Sequence, residues 1–107
     1  MKTIQLKTWH NVVPLNVENV KPADVTSQHL MLQCLKSLPV NEGITTGQMR
    51  ERFATMDKIE KAKGKTLQLE DNEFGELIVA AKKIAWMGIH RCFVEFEDTL
   101  IEAAKTK

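Results

Sequence analysis

Apolar and polar residues alternate at the start of the chain, and the pattern later changes to the spacing of amphipathic helices. Ile4 and Leu6 alternate with polar neighbours, which is typical of a half-buried strand. Residues 10–17 fit a second strand that runs back along the first, and Pro14 restricts this strand to a sheet edge or a bulge. The sequence therefore predicts a β-hairpin within residues 1–20.

Helix start signals follow the predicted hairpin. Thr26 is placed to cap a first helix, and Thr45 with Gln48 has the spacing of a capping box for a second. Gly64 is a natural stop after the second helix. Acidic residues lie at the start of a third helix, where the helix dipole favours negative charge. The predicted helices span residues 26–38, 46–63, 70–87 and 89–104.

Each predicted helix carries an apolar stripe at helical spacing, and we expect these stripes to face a common core. They comprise Met31, Cys34, Leu35 and Leu38; Met49, Phe53, Met56 and Ile59; Phe74, Leu77, Ile78, Ala81, Ile84 and Ala85; and Cys92, Phe93, Phe96 and Leu100. Between the second and third helices, Leu67 and Leu69 alternate with Gln68. This alternation predicts a short third strand that adds to the hairpin.

These elements indicate one domain over residues 1–107, with an α+β fold that is mainly α. A chain of this length buries roughly 60 to 70% of the surface that its unfolded form exposes. Its content of 43% apolar and 27% charged residues is that of a globular protein rather than a disordered one. We expect about four helices packed with a small N-terminal β-hairpin and a short third strand.

The last two predicted helices carry apolar residues outside their main stripes. A helix that is apolar on two sides is either central to its domain or covered by a partner. Tryptophan is also a common anchor of protein interfaces. The candidate protein interface consists of Val79, Trp86, Val94, Ile101 and Trp9.

The charge balance disfavours a dedicated nucleic-acid binder. Fifteen Lys and Arg against fourteen Asp and Glu give a net charge of +1. One basic cluster offers an alternative function, that of a small nucleic-acid-binding regulator using residues 50–65. Its residues are Arg50, Arg52, Lys58, Lys61, Lys63 and Lys65. Asp57 and Glu60 interrupt the cluster and no aromatic residue for base stacking lies beside it, which favours a solvated helix face.

Residue types that support catalysis or metal binding occur without the spacing that such chemistry needs. Cys34 and Cys92 lie on core stripes, and no CxxC or paired histidine spacing accompanies them. We therefore predict no catalytic residues, no metal site and no cofactor. The N-terminal residues contain no apolar run long enough for a signal peptide or a membrane span, so the expected location is the cytoplasm.

The order of elements resembles a family of small accessory proteins encoded among the structural and assembly genes of tailed bacteriophages and prophages. The stretches that carry the resemblance are "IQLKTW", "VTSQHLMLQCL", "MRERFATMDKI", "LEDNEFGELI" and "CFVEFEDTL". They cover nearly the whole chain, and their motifs describe folding rather than chemistry.

The resemblance implies a non-enzymatic protein that acts by protein–protein contacts during assembly of the virion head or tail, in the cytoplasm of a bacterial host. Its partners would be copies of itself, a phage assembly protein, or a host factor or host defence protein. Oppositely charged patches suit such docking, because they orient the two surfaces.

Overall fold

The computed structural model describes residues 1–16, 18–38, 43–86 and 88–105. Within these residues the chain forms four helices and four short strands. In chain order they are β1 (Lys2–Gln5), β2 (Thr8–Val12), β3 (Ala23–Thr26), α1 (Ser27–Lys36), α2 (Thr46–Lys61), β4 (Thr66–Leu69), α3 (Asp71–Lys83) and α4 (Arg91–Lys105). The mainly helical α+β fold predicted from the sequence is confirmed.

The strands form two antiparallel pairs, β1 with β4 and β2 with β3. The N-terminal hairpin is therefore made by β2 and β3, whereas the sequence pattern paired the first strand with residues 10–17. That pairing was wrong, because the two residues that link β1 to β2 bond to other segments instead of forming a turn. The Leu6 N–H donates to the Lys65 carbonyl, and the Lys7 carbonyl accepts from the Ser27 N–H. The predicted short third strand is present as β4, and it adds to β1.

The helix start signals act as the sequence predicted. The Thr26 hydroxyl accepts a hydrogen bond from the His29 N–H at 3.1 Å. Thr45 and Gln48 form a reciprocal capping box with bonds of 3.1 and 3.2 Å. At the start of α3 the N-cap residue is Glu70, and its N–H likewise donates to the side chain three residues on, Glu73 Oε1, at 2.9 Å.

The helix ends differ more from the prediction. α1 ends at Lys36 rather than 38, because the backbone of Ser37 is extended. Both the N–H and the hydroxyl of Ser37 donate to the Cys34 carbonyl. α3 ends at Lys83 rather than 87, and the end of that predicted helix includes residue 87, outside the described residues. α2 ends at residue 61 and α4 begins at residue 91, each within two residues of the prediction.

One apolar core joins the four helices to the β1–β4 sheet. α1 lies at its centre and packs against α2, α3, α4 and β3. The buried apolar residues of this core are Ile4, Leu30, Met31, Cys34, Leu35, Met56, Ile59, Leu67, Leu69, Phe74, Leu77, Ala80, Ala81, Phe96, Leu100 and Ala103. None of the helices in the described part of the chain has the length and apolar character needed to cross a membrane.

Candidate functional site

An apolar groove lies between the end of α1 and the first turns of α2. Its exposed walls are Leu38, Met49 and Phe53, which keep 48%, 39% and 61% of their surface in contact with solvent. Ile44, Leu35 and Met56 complete the apolar lining, and the cavity has a volume of about 220 Å³. Exposed apolar side chains scattered singly are ordinary, but three around one groove form a candidate contact surface.

The exposure of Met49 and Phe53 at this groove differs from what the sequence predicts. Met49 and Phe53 were predicted to face the core together with Met56 and Ile59, and only Met56 and Ile59 are buried. The stripe is continuous along α2, but the core covers only its C-terminal part. Helical periodicity identifies an apolar face without showing how far other elements extend over it. Leu38 is likewise exposed, because α1 ends before it.

Arg52 lines the groove and bonds to both neighbouring helices. Its Nε donates to Glu76 Oε1 of α3 at 2.8 Å. Its Nη1 donates to the carbonyls of Leu35 and Ser37 at 3.1 and 3.0 Å, and thereby pairs carbonyls at the C-terminal end of α1. The sequence placed Arg52 in a candidate nucleic-acid patch. In the structure its guanidinium is directed into the protein and joins α1, α2 and α3.

The remaining basic candidates divide into paired and solvent-facing residues. Lys58 forms an ion pair with Glu73 Oε1 at 2.8 Å. Burial alone would raise the pKa of Glu73, but hydrogen bonds from Lys58 and from the Glu70 N–H, with the charge of Lys58, hold that pKa below its usual value. Arg50, Lys61, Lys63 and Lys65 are exposed.

Val79 and Val94 are the exposed members of the predicted interface. They keep 50% and 63% of their surface in contact with solvent, on α3 and α4 respectively. Ile101 is half-buried on α4. Since the described residues leave Val79 and Val94 uncovered, these side chains are available for contact with another molecule.

The two tryptophans are half-buried and engaged within the chain. Trp86 stacks on Phe93 with ring centroids 4.6 Å apart and meets the edge of Phe96. Trp9 packs against the core, and its Nε1 donates to Glu95 Oε2 at 2.6 Å. Each ring is therefore held in place by neighbours on α4.

A second apolar cleft lies beside Trp86, with a volume of about 460 Å³. The linker between α3 and α4 forms one wall, and the turn after β2 forms another. Two hydrogen bonds tie these segments together, from the Leu15 N–H to the Ile89 carbonyl at 2.7 Å and from the Ile89 N–H to Asn16 Oδ1 at 2.8 Å. The cleft thus lies where two connecting segments of the fold meet.

The thiols and imidazoles do not converge on a reactive centre within the described residues. Cys34 and Cys92 are free and buried. Burial raises the pKa of the Cys34 thiol to about 12, and burial with the nearby charge of Glu95 raises the pKa of Cys92. Both groups are thus kept as thiols, the unreactive form. In the described part of the chain no three His, Cys, Asp or Glu side chains group as metal ligands would.

The groove residues Leu38, Met49 and Phe53 were missed as contact candidates by sequence reasoning. One signal could have found them: Ile44 and Met49, on either side of Thr45, have the spacing of a hydrophobic staple, in which the two side chains pack on each other at the helix start. Comparisons with protein-family models, with curated proteins and with solved structures found no match to this chain.

Proposed function

We propose that this protein is a non-enzymatic accessory protein that acts through contacts with other proteins, among them further copies of itself. The observation that carries the proposal is the exposed apolar groove between α1 and α2. Phe53 is a large aromatic side chain with most of its surface in solvent, at the wall of a cavity with an apolar floor. Aromatic residues beside such pockets are frequent anchors of protein interfaces.

The proposed setting is the assembly of the head or tail of a bacteriophage or prophage, in the cytoplasm of the bacterial host. It is supported by the resemblance of the five sequence stretches to accessory proteins of tailed phages. A phage assembly protein, a host factor or a host defence protein would be a further partner. Val79 and Val94 supply additional exposed apolar contacts on α3 and α4.

The alternative, a nucleic-acid-binding regulator, has less support from the side-chain geometry. Of its six candidate residues, Arg52 is directed into the protein and Lys58 is paired with Glu73. Arg50, Lys61, Lys63 and Lys65 are left to contact phosphates. The alternative predicts binding that weakens steeply as salt is raised and that is lost on charge reversal at Lys61 or Lys63.

The experiment is light scattering of the purified protein and of two single variants of α2. Phe53→Glu places a charge in the groove and should reduce the solution mass to that of a monomer. Ala54→Glu places the same charge on the next residue, which is exposed and does not line the groove, and should leave the mass unchanged. Circular dichroism of both variants serves as the control for folding. Equal masses for the wild type and Phe53→Glu would contradict contact through the groove.

A further inference from the structure

β4 has one edge without a neighbouring strand. It pairs with β1, and no other strand in the described ranges pairs with it. The Leu6 N–H donates to the Lys65 carbonyl at 2.8 Å, which makes these two residues a hydrogen-bonded pair. Bonded and non-bonded pairs alternate along an antiparallel ladder. Thr66 and Gln68 are therefore non-bonded positions, and their main-chain N–H and C=O groups point away from β1.

The open edge lies in a basic depression of about 470 Å³. Leu67, which faces the core, lines it together with the outward-facing Thr66 and Gln68, so the depression follows the edge of the strand. The lysines on this wall are Lys58, Lys61 and Lys63, and Lys65 lies directly before the strand. Main-chain donors and acceptors at strand spacing are thus combined with positive charge.

We propose that an extended, acidic segment of a partner protein adds to β4 as a third strand of the β1–β4 sheet. The main-chain groups of Thr66 and Gln68 would bond to the backbone of that segment. Lys61 and Lys63 would attract its carboxylates, whereas Lys58 is already paired with Glu73. The proposal depends on the function proposed above only in that the occupant is a protein. It concerns a different surface from the groove at the start of α2.

The edge fits a peptide better than a nucleic acid. Each outward residue offers both an N–H and a C=O, which a peptide backbone can match, whereas a phosphate group only accepts hydrogen bonds. None of the described residues that line the depression is aromatic, so a base would have no ring to stack on. Lysines beside an edge also oppose pairing of two identical edges, because like charges would meet. The surface therefore favours an acidic strand over a second β4.

The open edge is short. The next outward-facing residue along the chain is Glu70, and its N–H already donates to Glu73 Oε1 at 2.9 Å. At the other end the preceding outward position is Gly64, which lies outside β4 and has a φ of 100°. The occupant would therefore pair with Thr66 and Gln68 alone. We expect modest affinity that depends on both the main-chain bonds and the charges.

The test measures binding of a fluorescent peptide of alternating Glu and Val by anisotropy at low salt. Gln68→Pro removes the outward N–H, and its ring faces away from β1, where proline is tolerated in an edge strand. Binding should weaken about tenfold, the effect of one or two hydrogen bonds. Gln68→Ala keeps the N–H and should bind as the wild type does. Lys61→Glu combined with Lys63→Glu should also weaken binding about tenfold or more.

A modified peptide repeats the test on the unaltered protein, in case Gln68→Pro does not fold. Methylation of every main-chain nitrogen keeps the carboxylates and removes all main-chain donors, so binding should fall about tenfold. Equal binding of the methylated and unmodified peptides would overturn the proposal, as would no binding of either. Tighter binding of short single-stranded DNA than of the acidic peptide would also overturn it, in favour of nucleic acid.

A groove variant separates this proposal from the proposed function. Phe53→Glu leaves β4 and the lysines unchanged, so it should bind the peptide as the wild type does. Loss of self-association with intact peptide binding would support both surfaces. If the wild type self-associates but does not bind the peptide, the strand-edge proposal fails and the proposed function stands.

Discussion

The Arg52 guanidinium joins three parts of the chain. In the sequence Arg52 belongs to a basic cluster that follows a helix start. In the structure its guanidinium bonds to Glu76 and to the carbonyls of Leu35 and Ser37, which come from two other segments of the chain. Such partners are distant in sequence, so no local pattern identifies them.

We expect Arg52→Met to destabilise the protein by about 2 kcal/mol, because it leaves Glu76 and two helix-end carbonyls without their charged donor. Methionine keeps much of the apolar length of the side chain. Arg50→Met is the matched control, since Arg50 is exposed on the same helix, and it should change stability by less than about 0.5 kcal/mol. Urea denaturation measures both. Equal stability of the two variants would show that the Arg52 bonds contribute nothing.

Glu73 should make the stability of the protein depend on acid pH. Its folded-state pKa lies below the ordinary value of 4.5, so its contribution is present above pH 4.5 and is lost as pH falls through the folded pKa. Glu73→Gln cannot ionise and should remove that part of the pH dependence. Urea denaturation at a series of acid pH values measures this. If the variant and the wild type lose the same free energy of unfolding in acid, Glu73 does not cause this pH dependence.

At the scale of elements, the sequence predicts the helices better than the strand pairs. Thr26, Thr45 and Gln48 mark helix starts through contacts within a few residues, and local sequence contains that information. Pairing of β1 with β4 joins segments about 60 residues apart, and alternation identifies a strand without naming its neighbour. The extent of the core along α2 is also a tertiary property, so helical periodicity predicts a buried Phe53 although the structure exposes it.

The junction between the β2 turn and the α3–α4 linker gives a test of element packing. A Cβ at Gly88 would lie 3.0 Å from Pro14 Cβ. Gly88→Ala should therefore destabilise the protein by about 1 to 3 kcal/mol through steric conflict. Gly75→Ala, within α3, meets no atom within 4 Å and should stabilise it by about 0.5 to 1 kcal/mol. Thermal denaturation distinguishes the two signs, and a stabilising Gly88→Ala would contradict the close packing of this junction.

For the whole molecule, α2 connects two surfaces of different character. The apolar groove lies at its N-terminal end, and the basic strand edge lies beside its C-terminal end. Phe53 and Lys61 are eight residues apart, about 12 Å along the helix axis. The groove should bind through apolar burial, which salt does not weaken, whereas the strand edge should be sensitive to salt. One protein could thus contact two partners at the same time.

The solution mass of the wild-type protein, measured by light scattering at low and at high salt with and without short DNA, separates protein contacts from nucleic-acid contacts. We predict an oligomer that persists at high salt and whose mass does not change when DNA is added. A monomer whose mass increases with DNA only at low salt would contradict the proposed function and assign the exposed lysines to nucleic-acid binding.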